Sequence, residues 1–154
     1  MLVFLPRMKN YPMPRDAAEQ IIRIILRAQE QQGPTGNSVD TFSVCSQECE
    51  LQVAKVLAQA EAHASSLRKL ASTILQVVRD PHRLSIVACL YFVAYRQGDD
   101  DAGFSWASMV MEGLVPTSSK ELDAIQAQAA AATYSRLASK GHGQAQFGMG
   151  RLVL

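Results

Sequence analysis

Cys45 and Cys49 stand four residues apart, a spacing that puts both thiols on one side of a helix. With His63 and His82 they make a set that could in principle ligate zinc. The spacing is not that of a zinc finger, however, and the paired CxxC motifs of strong zinc sites are missing. The sequence therefore predicts plain thiols and no metal. Cys89, among Val87, Ala88 and Leu90, reads as a small core residue. His142 follows Gly141, where a polar residue is expected at a turn. A Cys–His nucleophile would also need an orienting group and an oxyanion hole, and the chain singles out neither. Gly141-His142-Gly143 and Gly148-Met149-Gly150 have no strand before them, so they are not phosphate loops. Asp99-Asp100-Asp101 lacks the further oxygen ligands of a calcium loop and reads as a solvated helix start. These residues predict no catalytic, metal or cofactor site.

The elements around them belong to one hydrophobic core. A chain of 154 residues is too short for two ordinary domains, and 48% hydrophobic against 19% charged residues excludes general disorder. Fifteen basic against fourteen acidic side chains leave a net charge of +1, no broad field for nucleic acid or an anionic membrane. Three cysteines cannot all pair, which favours a reducing, intracellular compartment. The longest apolar run, Leu84 to Tyr95, is too short to cross a bilayer. The opening MLVFLPRMKNYPMPR is free of acids and carries Arg7, Lys9 and Arg15, as a mitochondrial presequence would. Against this, it has no serine, and Pro6, Pro12 and Pro14 would break the amphipathic helix. Cytoplasm and mitochondrion both stay open.

Periodicity predicts helices throughout. Asp16 and Glu19 have capping-box spacing, and Ala18, Ile21, Ile22 and Ile25 form one apolar face of a helix ending near Gln32, before GPTGNS. A segment from about Ser43 to His63 puts Leu51, Ala54 and Ala58 on one stripe, and Ser65 to Arg79 carries Leu67, Leu70, Ala71, Ile74 and Val78. Neither glycine nor proline separates the two, so one bent helix or two are both open, with Ala64-Ser65-Ser66 as the expected break. Asp80-Pro81 opens a helix to Gln97, closed by Gly98; Asp99 to Asp101 open the next, to Gly113. Pro116 and Ser118-Ser119-Lys120-Glu121 open an alanine-rich helix to Lys140, closed by Gly141, and a last helix follows from His142. The expected organisation is a lead segment 1–14, a helical region 15–80 and two hairpin repeats, 81–113 and 118–154, in a single domain.

The repeat shows as an internal match at an offset of 43 residues. Tyr91 pairs with Tyr134, Gly98 with Gly141, Ala102 with Ala145, Phe104 with Phe147 and Ala107 with Gly150. Met109 and Met111 match Leu152 and Leu154. Glycine suits a left-handed turn, small residues let two helices approach, and aromatics fill the remaining space. One such hairpin cannot bury its apolar face alone, so units stack. First of all, then, Tyr91, Phe104, Trp106 and Phe147 are packing residues. Residues Tyr134 to Leu152 resemble a Sel-one-like repeat, a relative of the tetratricopeptide repeat, at Tyr134, Ala138, Gly141, Ala145, Gln146, Phe147 and Met149-Gly150. The upstream copy departs from that pattern: Tyr95 replaces the alanine, Gly103 the glutamine and Trp106-Ala107 the Leu-Gly step. The resemblance covers about 81–154 and implies an all-α fold, an α-solenoid of stacked helical hairpins, with adapter roles in assembling complexes.

The expected function is thus a non-enzymatic helical-repeat adapter or accessory subunit for protein–protein interaction. The alternative is a small thiol- or metal-dependent enzyme or sensor using Cys45 and Cys49. RNA binding through a helical repeat is disfavoured by the near-neutral charge. Docking is expected on the inner helices of the stack, at Arg83, Arg96, Gln126, Gln128 and Arg136. A second expected surface is the end of the last repeat, at Met149, Leu152 and Val153, covered by residues 1–80 folding back or, as the favoured expectations, by another subunit or by further repeats of a longer array.

Overall fold

A computed structural model describes residues 13–32, 47–78, 83–115 and 120–142. Within them lie six helices and no strand: α1 (Arg15–Gln32), α2 (Gln47–Gln59), α3 (Ala64–Val77), α4 (Arg83–Arg96), α5 (Asp100–Met111) and α6 (Lys120–Ser139). The protein is all-α. Among the described residues no helix is long and apolar enough to cross a membrane.

Helix α1 buries the face that its spacing predicts, with Ala18, Ile21, Ile22 and Ile25 all in the core. Its start differs from the expected capping box. The helix already includes Arg15, the Ala18 amide donates to the Pro14 carbonyl at 3.1 Å, and Glu19 pairs with Arg15 at 3.2 Å instead of reaching back to a cap. Helix α2 is turned away from expectation: it buries Cys49, Val53 and Leu57, while Leu51 is 62% exposed. Residues 49, 53 and 57 repeat every four, and Leu51 lies two positions, about 200°, round from Cys49.

The question of one helix or two has a definite answer. Helix α2 ends at Gln59 and α3 begins at Ala64, earlier than the serine step predicted. Between them Glu61 takes φ 54°, the left-handed region, while its amide donates to the Ala58 carbonyl at 3.2 Å and that of Ala62 to Leu57 at 2.9 Å. This pair of bonds is a Schellman ending. The same pair closes α4, α5 and α6, where Gly98, Gly113 and Gly141 take φ 108°, 74° and 87°.

Helices α3 to α6 run alternately up and down. Ser72 meets Tyr91 and Arg68 meets Asp99; Phe92 meets Trp106 and Tyr95 meets Gly103; Ser108 meets Tyr134 and Asp101 meets His142. In each pair, moving forward along one chain segment means moving backward along the other. Helix α4 is the centre: α1, α3 and α5 all pack on it, and every residue from Ile86 to Tyr91 is buried, as are Val93 and Ala94. A helix apolar all round must be surrounded. One continuous core joins all six helices, from Met13 to Leu137.

Candidate interaction surface and hairpin contacts

The two segments that match in sequence carry the same side-chain device. The buried Tyr91 hydroxyl on α4 shares a 2.8 Å hydrogen bond with Ser72 Oγ on α3. The buried Tyr134 hydroxyl on α6 shares a 2.6 Å bond with Ser108 Oγ on α5. Each tyrosine thus ties its helix to the one before it and satisfies its own polar tip. Seven residues after each tyrosine comes the left-handed glycine, Gly98 or Gly141. No sequence pattern singled out Ser72 or Ser108, because they lie 36 residues apart, out of register with the 43-residue match. The second partners of that match beyond His142 lie outside the described residues.

Two of the positions where the upstream segment departs from the expected pattern, Tyr95 and Gly103, compensate one another in space. A Cβ placed on Gly103 would stand 2.4 Å from Cδ1 of the Tyr95 ring. Tyr95, where the pattern has alanine, fits because Gly103 stands where the pattern has glutamine. The Arg136 guanidinium of α6 then lies 5.5 Å from the centroid of the same ring. Aromatic contacts continue beside it: Phe92 with Trp106 at 5.1 Å, and Phe104 with both Tyr134 and His142 at 5.6 Å.

All three aspartates at the start of α5, the N-cap Asp99 and the first-turn Asp100 and Asp101, have partners on neighbouring elements. Asp99 Oδ1 accepts from the Ala102 amide as an N-cap, and Oδ2 pairs with Arg68 at 3.1 Å. Asp100 meets Lys140 at 3.6 Å, and Asp101 Oδ1 lies 2.7 Å from His142 Nε2. The cluster joins the ends of α3, α5 and α6. Among the described residues no group of three or more His, Cys, Asp or Glu side chains is placed to hold a metal.

Cys49 and Cys89 are both buried, in α2 and α4, and neither is in a disulfide. Cys49 is near the start of α2, whereas exposed His63 follows its far end, so about 15 Å of helix separates them. The structure does not bring that pair together as ligands. Cys45 and His82 lie outside the described residues.

Comparison with known proteins is negative. No family model, curated protein or solved structure matches this chain. The functional reading therefore stands on the residues themselves.

The expected docking residues fall in different environments. The groove expected along α4 is filled by α1, α3 and α5; Arg83 is half-buried, and exposed Arg96 pairs with Glu50 of α2 at 3.3 Å. Gln126 is only 2% exposed, so it lies in the core and not on an open face, and its Oε1 has no hydrogen-bond partner among the described residues. Gln128 and Arg136 are exposed on α6, which packs on α5 and turns Ala124, Ala127 and Ala132 outward. Met149, Leu152 and Val153 lie outside the described residues. Sequence reasoning missed Met111 and Leu114 as surface, each 39% exposed where α5 ends. The left-handed turn at Gly113, immediately between them, was the signal available.

Proposed function

We propose that this protein is a non-enzymatic helical-repeat adapter, an accessory subunit that holds another protein through the exposed face of α6. The observation that carries this reading is the recurrence of one device that ties each expected hairpin to the helix before it: a tyrosine hydroxyl bonded to a serine of that preceding helix, then a left-handed glycine seven residues on. Recurrent helical pairs that pack on their neighbours favour a stack, and a stack offers a broad flank for a partner. Helix α6 supplies that flank, with Gln128 and Arg136 as polar contacts among small alanines that let a partner backbone come close.

The test is gentle co-purification of the tagged full chain, read by mass spectrometry, beside a Gln128→Ala/Arg136→Ala variant. Thermal unfolding of the variant verifies that it is folded. A stoichiometric protein captured by the parent and depleted at least about tenfold by the variant, roughly 1.4 kcal/mol of binding, supports the reading. No stoichiometric partner in either sample would remove it.

A further inference from the structure

We propose that the α1–α2 pair exchanges between two copies of this chain, giving a domain-swapped homodimer in which α2 and α3 run on as one helix. The inference does not depend on the adapter reading. It starts from Glu61, the only non-glycine with positive φ among the described residues. Three other helices end in the same turn, and each places glycine there. An L-residue with a side chain is strained in that conformation, and the strain disappears if Glu61 takes helical angles.

The surrounding sequence is ready for that change. Ala60, Glu61, Ala62 and Ala64 are strong helix formers, and no glycine or proline occurs from Gln47 to Val77. Joined, α2 and α3 would form one helix about 46 Å long. The unit that would move is also well defined. Helix α2 packs on α1 and α3 on α4, while the first pair meets the rest through α1 on α4 and through the Glu50–Arg96 ion pair. In the exchanged dimer these contacts re-form between copies, so the buried face of α1 stays covered and only the turn changes. Short strained hinge segments favour such exchange.

Light scattering on size-exclusion fractions, after refolding the full chain at low and high concentration, reads the dimer directly. A dimer populated at high concentration is expected, weakened at least about a hundredfold by Glu61→Gly, roughly tenfold per hinge, since glycine favours the turn and disfavours the helix. Absence of a dimer from the parent at every concentration, or a dimer unmoved by Glu61→Gly, would overturn the proposal. A second experiment does not touch the hinge. Glu50→Arg and Arg96→Glu each place like charges at the α2–α4 contact, and exchange between the two variants restores an opposite pair at both copies of it. Mixing them should enrich the heterodimer over either homodimer. A statistical mixture, or no dimer, would count against exchange.

Discussion

At the residue scale, the Tyr95 ring lies over Gly103 and leaves no room there for a Cβ. Replacing Gly103 by alanine puts a methyl within 2.8 Å of three ring carbons, so the half-buried ring must move and α4 and α5 must part slightly. Overpacking of this kind costs about 1–3 kcal/mol. Gly103→Ala should lower stability by that amount in urea unfolding. In a Tyr95→Ala background, which removes the ring, the same change should cost less than about 0.5 kcal/mol, and alanine's better helix propensity could reverse its sign. Equal costs in both backgrounds would mean that the two positions are not coupled. The residue pattern alone marked both positions as departures from the expected repeat. Their mutual compensation was not legible, because they belong to different helices eight residues apart and only the crossing of α4 and α5 brings them together.

At the scale of elements, one hydroxyl bond ties each tyrosine-bearing helix, α4 or α6, to the helix before it. Ser72→Ala and Ser108→Ala each leave a buried tyrosine hydroxyl without its serine, and each should cost about 1–2 kcal/mol. Double-mutant cycles with Tyr91→Phe and Tyr134→Phe should show coupling of about 0.5–1.5 kcal/mol in each pair, and none between pairs. Coupling in only one pair would remove the equivalence of the two tyrosine–serine contacts. Asp99 acts between elements too, capping α5 while pairing with Arg68 of α3. Asp99→Ala should therefore cost about 1–2 kcal/mol by denaturant unfolding, above the median for an exposed ion pair. Helix existence and most helix ends were legible, since glycine, capping residues and apolar spacing act over a few residues. The turn at Glu61 was not, because no local breaker announces it: its bonds to Ala58 and Leu57 use groups that an uninterrupted helix would use differently.

Across the whole molecule, stability should follow burial around α4. Leu90 is fully buried on the helix against which three others pack, so Leu90→Ala should cost about 2–5 kcal/mol. Leu51 carries a side chain of the same type on a helix, yet is 62% exposed, and Leu51→Ala should change stability by less than about 0.5 kcal/mol. Thermal unfolding of the two variants separates these expectations, and a similar loss from both would place α2 the other way round. The reading of the cysteines as packing residues has its own whole-molecule consequence. Chelator treatment should leave the melting temperature unchanged, and purified protein should carry no stoichiometric zinc by mass spectrometry; zinc bound one to one would restore the thiol-site alternative.

By itself the sequence determined the helical class, the buried faces of α1 and α3, and the glycine endings of α4, α5 and α6. Each depends on the period of an α-helix or on the conformational freedom of a single residue, so a short window holds the whole cause. Tertiary structure decided which helices are surrounded and which are open. It buried Gln126 and filled the groove expected along α4, because burial depends on every element that packs against a face. It also turned Cys49 inward and Leu51 outward on α2, where both types are apolar enough for either side and the packing of α2 on α1 selects between them.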